Sequence, residues 1–511
     1  MKGAVIVIGG GHNGLTAATL LARAGRDVTL VERREVLGGI AAGEEFHPGF
    51  RTTGLLTGAA TLRPAIAAKL GLERHGLELI DAPPRVALER DGPGLVVEGE
   101  GALSAITARS PGDAAAFESW TAFLARVRGF VARVLSESPP ELDPSGAGQV
   151  LELLRTGVAL RRLGEADMLE LLRVGPMAAA DWMKDTFESP LLRAGLAAPA
   201  LQGTWLGPWS AGSAALLLGQ RCTQGRTVRG GPAALAEVLS RAARDAGVKT
   251  LAGRAVTRVL VEGGAVRGVE LAGGDVLEAG TIASSIEPSR LLLDLVERLA
   301  LPPELEQAAR AWRTRGTTAK VHLALDGPLE PPGGGGGPLE HMTTGESIDE
   351  LERAFDAVKY GRASERPLLD IRVPTLSAPE LAPEGKHVAS ILVHYVPHAL
   401  AGGWTAQARA ALEASVLKTL EEVLPGTADK TLACETLTPA DLEARYGLTG
   451  GHVHHGEHAL DQLAFLRPTL DCGHYATPIR GLFLCGSGSH PGGGITCAPG
   501  ALGAARCLAG P

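Results

Sequence analysis

Residues 4–8 (AVIVI) form an unbroken apolar run, and glycines at 9, 10, 11 and 14 end it. A short apolar run bounded by glycine predicts a strand covered on both faces, as in a parallel sheet. Over residues 15–24, Leu20, Leu21 and Ala24 recur at helical spacing, and Gly25 stands where a helix would stop. Residues 27–31 (DVTLV) return to a strand pattern. Strands are also predicted at 249–261, 266–271 and 276–277, separated by EGG and AGGD turns. Residues 76–224 read as mostly helical, including one Leu-rich helix over 151–174. Residues 301–469 mix strands (AKVHLAL, HVASILVHYV) with helices (ARAALEASVLKTLEEVL). Near the end, a strand over 482–485 precedes a glycine-rich loop and a small-residue helix expected to begin near Thr496. PPGGGGG at 331–337 reads as a flexible loop, and no internal repeat is found.

A chain of 511 residues has room for two or three cores, and 45% hydrophobic residues make it globular. A net charge of −8 gives no electrostatic footprint for nucleic acid. The six cysteines lack any CxxC pair, which predicts reduced thiols rather than a disulfide framework or zinc site. No signal peptide or membrane-spanning run is expected, so the predicted location is cytoplasmic. Arg155, Arg161, Arg162 and Arg173 beside the apolar positions of 151–174 leave open a helix lying on a membrane surface, against one that covers a core.

The turn after the first strand reads Gly9-x-Gly11-x-x-Gly14. In such a turn the first glycine permits the tight bend, the second admits a pyrophosphate to the backbone, and the third lets helix and strand pack closely. Glu32 follows 18 positions after Gly14, at the end of the second strand, where a carboxylate accepts from a ribose diol. Strand, turn, helix, strand and acid in that order predict a Rossmann-like dinucleotide site. Gly38-Gly39 is similar to the extended motif of FAD enzymes, so FAD is the expected cofactor. The loop and helix start after Gly486 supply a second candidate, since unpaired N–H groups at a helix N-terminus suit an anionic or electron-rich group.

His452, His454, His455 and His458 cluster in GHVHHGEH, but Gly451 and Gly456 break any helix that would align them, so no metal site is expected. His455 is the candidate catalytic residue, orienting substrate or moving a proton, with an ordinary loop histidine as the alternative.

Five segments together carry a resemblance: GGGHNGL (9–15), GGIAAGEEFHPGF (38–50), GGPAALAEVL (230–239), GHVHHGEHALDQLAFLRP (451–468) and GLFLCGSGSHPGGGITCAPGALGAA (481–505). In that order, across nearly the whole chain, they resemble the FAD-dependent phytoene desaturase-like branch of the amine oxidase and desaturase superfamily. The resemblance implies an α/β fold with a Rossmann-like FAD-binding domain of amine oxidase/phytoene desaturase type and an inserted mixed α+β substrate domain. It divides the chain into a discontinuous FAD domain (1–75, 225–300, 470–511) and a substrate domain (76–224, 301–469). Flavin contacts are implied for Gly9, Gly11, His12, Asn13, Gly14, Glu32, Arg33 and Gly39, for the Val256 backbone at the adenine, and for Gly486, Ser487, Ile495 and Thr496. Two departures stand out: Ile40 where many relatives carry Arg, and IASSIEP (282–288) in place of Asn-Ala-Asp-Pro.

The expected activity is hydride removal from a carbon centre of a small apolar organic substrate, with C=C formation first and oxidation at a C–N bond second. A flavin-bearing binding protein without turnover is the rival, and an NAD(P)-linked reductase is a weaker one because only one nucleotide fingerprint is visible. The electron acceptor is left open between oxygen, a quinone and another carrier.

Overall fold

The β-branched run Ala4–Ile8 and the strand Asp27–Val31 pair in parallel, from Ala4 opposite Asp27 to Ile8 opposite Val31. In the computed structural model, which describes residues 3–141, 144, 146–332 and 337–510, they sit inside a five-stranded parallel sheet. Its order is Leu482–Leu484, Thr281–Ser284, Ala4–Ile8, Asp27–Val31, Lys249–Leu251. The period-2 alternation of strand side chains sorts the first strand between two cores. Val5 and Val7 face a cluster shared with the helices His12–Arg23, Gly231–Asp245 and Ala498–Ala509, whereas Ile6 and Ile8 face a three-stranded antiparallel sheet built from 256–278.

A second, seven-stranded sheet runs in the order Thr431–Leu437, Thr318–Leu325, His387–His394, Leu368–Arg372, His341–Thr343, Arg85–Glu89, Gly92–Glu98. All its pairings are antiparallel except that of His341–Thr343 with Arg85–Glu89. Val321, Leu323, Ile371 and Ile391 turn one face onto the helix Ala406–Val423. Helices between 111 and 223 close the far edge around Trp120, Trp182 and Phe187.

The structure corrects several expectations. The stretch 249–261 is two strands in different sheets, because the chain turns at Gly253, which has φ +70°. The stretch 151–174 is two helices, Ala147–Arg161 and Glu165–Val174, parted at Gly164 with φ +88°. The last helix starts at Ala498 rather than near Thr496, after Cys497 in a left-handed conformation with φ 59°. Two strands, Arg85–Glu89 and Gly92–Glu98, lie in a region read as mostly helical. Residues 333–336 of the glycine-rich loop lie outside the described residues. No helix among the described residues is long and apolar enough to cross a membrane.

Candidate active site

The turn between the first strand and the helix His12–Arg23 contains glycines that are needed for different reasons. Gly9 has φ +95°, and a Cβ at Gly14 would overlap the Gly9 carbonyl oxygen, so the protein itself requires both. Gly11 has φ −71°, and the nearest atom to a Cβ there would be 3.8 Å away. Nothing in the chain demands glycine at that point, and the open ground in front of it is a cradle for a group that approaches the backbone. As N-cap, Gly11 supplies no side-chain hydrogen bond, which leaves N–H groups of the helix start available to an anion. Gly39 packs against Gly11, where an added Cβ would come within 2.9 Å of the Gly11 Cα. Gly38 N donates to Gly10 O at 2.8 Å.

Glu32 is buried at the end of the second strand. Its Oε2 accepts from Gly10 N at 2.7 Å and its Oε1 from Arg34 N at 2.9 Å, which fixes the carboxylate while each oxygen keeps a second lone pair. Gly253 N and Arg254 N donate to Arg34 O and Glu32 O, so the approach to Val256 runs beside this carboxylate. The Arg33 guanidinium is held elsewhere: it donates to Ala444 O and Arg445 O at 3.0 and 2.8 Å, at the C-terminal end of the helix Pro439–Tyr446. Its neighbour Arg34, which the sequence pattern does not single out, pairs with Glu44 and lies over the Tyr446 ring.

Asn13 joins the two ends of the chain, donating to Ser487 Oγ at 3.1 Å and accepting from Gly500 N at 3.4 Å. A Cβ at Gly500 would overlap the Asn13 carbonyl, and one at Gly486 the Ser285 carbonyl, so these glycines permit the close approach of the C-terminal segment. Ile495 and Thr496 are buried, and Thr496 Oγ1 accepts from Ala498 N at 3.2 Å just ahead of the last helix. Burial holds His12 neutral, with a pKa of about 4, and leaves its Nε2 without a partner. The bare backbone at Gly11, the fixed carboxylate at Glu32 and the unpaired His12 nitrogen together fit a dinucleotide.

His455 has a left-handed φ of 55°, and its carbonyl accepts from Trp312 Nε1 at 3.2 Å. Burial drives its pKa down to about 3, aided by His12 and Arg467, and its Nδ1 has no partner. Among its neighbours, His454 stacks on His458 with centroids 4.6 Å apart, and His454 Nε2 meets Gln202 O at 3.1 Å. No group of His, Cys, Asp and Glu side chains able to hold a metal is found among the described residues. Arg467, missed in the sequence, is fully buried and donates to the carbonyls of His454, Gly456, Glu457, Gln462 and Ser487. It thereby ties the histidine loop to the C-terminal half of the nucleotide site.

Opposite this loop lies the second face of the seven-stranded sheet. Thr318, Lys320 and His322 alternate with the apolar residues of their strand, and the register sets Lys320 beside Leu392, which in turn faces Asp370. Leu392 shares a core cluster with Ile40, Leu55, Leu56 and Ile495, which turns this face toward the parallel-sheet domain. Lys320 is fully buried, its Nζ has no partner, and burial lowers its pKa to about 7 against the pull of Asp370. His394 is held near 4 by burial, and His322 well below its ordinary value. Asp370 accepts from Gln202 Nε2 at 3.1 Å and lies 3.1 Å from His341 Nε2. Burial raises its carboxyl, but His341, Arg372 and His394 together bring it below the usual range. The sequence did contain the signal for this face, as polar residues at alternate positions of the AKVHLAL strand.

The flavin containing amine oxidoreductase family matches residues 14–509 of the chain. Over 97% of its length the chain is 32% identical to pyridine nucleotide-disulfide oxidoreductase domain-containing protein 2 of Rattus norvegicus, covering 91% of that protein. It is 30% identical to a limonene dehydrogenase component of Castellaniella defragrans, covering 96% of this chain and 92% of that one. Half of it, 55%, is 27% identical to 52% of the neurosporene-forming phytoene desaturase of Cereibacter sphaeroides. Putrescine oxidase bound to putrescine shares the fold, with a TM-score of 0.61 at 15% identity over 100% of this chain and 98% of that one.

Proposed function

The chain belongs to the flavin containing amine oxidoreductase family and is an FAD-dependent oxidoreductase, and on that premise we propose that it dehydrogenates a carbon centre of an apolar organic substrate, forming a C=C bond. When bound, FAD supplies the acceptor for the hydride. Gly9 to Gly14, Glu32, Gly39, the Val256 backbone, Gly486, Ser487, Ile495 and Thr496 would hold it, and the carbonyl-bound Arg467 keeps the histidine loop in place. Nζ of Lys320, neutral in a good fraction of molecules near pH 7, accepts the proton lost from the carbon next to the one that gives up hydride. His455, neutral at any physiological pH, orients the substrate through its unpaired nitrogen.

One observation carries the preference for a C–C over a C–N bond. Between the histidine loop and the sheet, Lys320, His322, His394 and His454 gather basic groups, and the carboxylate among them, Asp370, is committed to His341 and Gln202. A cationic amine entering there meets Lys320 and a single carboxylate whose oxygens already accept hydrogen bonds from His341 and Gln202. The relative named as a limonene dehydrogenase supports the same preference. The test is anaerobic bleaching of the bound flavin by limonene and other apolar hydrocarbons and by putrescine. Bleaching by an apolar compound and not by putrescine is expected, whereas bleaching by putrescine alone would overturn the reading.

We also propose peripheral contact with a membrane through the helix Ala147–Arg161. Leu151, Leu154 and Val158 are exposed there, 46%, 60% and 49% respectively, in place of the buried stripe of an ordinary surface helix, with Arg155 and Arg161 beside them. Co-sedimentation with phosphatidylglycerol vesicles should fall on Leu154→Glu, and equal sedimentation of both proteins would refute the contact.

A further inference from the structure

A cavity of about 380 Å³ opens between the edge of the seven-stranded sheet and the helices Pro111–Val134 and Ser213–Thr223. Its floor is a single row of side chains set by strand register. Arg372 lies opposite His341, His341 opposite Arg85, and Arg85 opposite Glu98. Side chains so placed stand about 5 Å apart at Cβ, so the neutral His341 separates the guanidinium groups of Arg372 and Arg85. Arg221 enters from the helix above and pairs with Glu98 at 2.7 Å, and Arg85 pairs with the same carboxylate at 3.0 Å. Arg128 stands at the rim and donates to Gln224 O. Four guanidinium groups thus line the cavity against one lining carboxylate.

The arrangement leaves guanidinium donors without partners. Glu98 serves two arginines at once, and its carboxyl, although burial raises it, is drawn down to about 2 by Arg221 and Arg85. Arg221 is 93% buried at its side chain and its Nε has no partner. Arg372 forms no side-chain hydrogen bond or ion pair among the described residues, and its buried Nε is also unpartnered. Asp370, Glu340 and Glu98 lie within electrostatic reach of it, but none of them forms an ion pair with its guanidinium among the described residues, so its N–H groups stay open to a ligand. Burial, reinforced by Arg372, keeps His341 neutral with a pKa of about 4, so it does not add to the charge. The opposite wall is apolar and aromatic, with Phe117, Trp120 and Leu124, and Arg221 lies over the Trp120 ring.

We propose that this cavity binds the anionic end of an amphipathic ligand, a carboxylate on an apolar chain, through Arg372, Arg221 and Arg128, with the chain against Phe117 and Trp120. The hydrogen bond of His341 to Asp370 joins this row to the neighbouring row that holds Asp370 and Lys320. The cavity therefore adjoins the face assigned above to the substrate, and the inference deepens that reading: the substrate class is an apolar compound with an anionic end. It rests on that reading for the identity of the ligand as substrate, while the binding itself is tested without turnover.

The experiment is titration calorimetry of the FAD-loaded protein with decanoate, decan-1-ol and decylamine, which share a chain and differ in the head group. Decanoate is expected to bind about tenfold to a hundredfold tighter than decan-1-ol, as charge-assisted hydrogen bonds to guanidinium require, and decylamine more weakly than either. Arg372→Gln should abolish the preference for decanoate over decan-1-ol, and Arg372→Lys should keep part of it. Where Arg372→Gln does not yield folded, FAD-loaded protein, Arg128→Gln decides, with a smaller loss of the same preference expected. Equal affinity for decanoate and decan-1-ol, or a preference that survives the deciding variant, overturns the proposal. Flavin bleaching is not read in this assay, so the failure of the anion site and the failure of the dehydrogenase reading are separate results.

Discussion

Lys320→Met keeps the length of the side chain and removes its amine, and its effect on stability is fixed in sign by the burial of that amine. The wild-type ammonium falls from an ordinary 10.5 to about 7 because the site is desolvated. At about 1.36 kcal/mol per pH unit that difference amounts to about 5 kcal/mol, an order-of-magnitude figure. Since the folded value lies below the unfolded one, folding expels a proton, and the charged form is the one penalised. The penalty is therefore complete below pH 7, declines as pH rises from 7 to 10.5, and is gone above that. Lys320→Met is expected to exceed the wild type by about 5 kcal/mol at pH 6 and by about 2 kcal/mol at pH 9, the pull of Asp370 being already contained in the lowered value. Urea unfolding of both proteins with excess FAD, followed by far-ultraviolet circular dichroism at the two pH values, measures the gap. A gap that is the same at pH 6 and pH 9, or a wild type more stable at pH 6, would refute the argument. The same variant should lose about a hundredfold or more in the rate of flavin bleaching by substrate, because its side chain has no proton acceptor.

Gly11→Val should fold and fail to retain FAD, whereas Gly14→Val should disrupt the fold, since only the second side chain collides with the protein itself; thermal unfolding and the flavin absorption of the purified variants distinguish the two. Glu32→Ala should weaken FAD about tenfold to a hundredfold in a fluorescence titration, and unchanged affinity would remove Glu32 from the site. His455→Asn, chosen because asparagine tolerates a left-handed φ, should keep its flavin while bleaching by substrate slows about a hundredfold; equal rates would leave His455 a purely structural role.

The nucleotide cradle was legible because its parts are local. Ala4–Ile8, Gly9, Gly11, Gly14 and Glu32 lie within 29 residues of one another, and strand periodicity, glycine at a positive φ and an acid at a strand end are each set by the residues themselves. The boundaries that failed were also local, but they turned on single glycines: Gly164 split one predicted helix and Gly253 one predicted strand, because a left-handed residue overrides the periodicity around it. Other contacts needed the tertiary structure. Nothing near Arg33 in the sequence points to the carbonyls of Ala444 and Arg445, and nothing near Arg467 to those of His454 and Ser487.

The sequence by itself determined which cofactor the chain takes, because the strand, the glycine turn and the acid that point to it are a short-range pattern. Only the tertiary structure decided which side chains share one face of the seven-stranded sheet. Lys320, Asp370 and His394 come from three strands, and Arg372, His341, Arg85 and Glu98 from four, joined by register across intervals of up to hundreds of residues. A one-residue slip in any of those pairings would turn the side chains to the opposite face. Their burial, and with it the lowered lysine and the unpaired Arg372 guanidinium, exists only once the sheet is assembled and water is excluded.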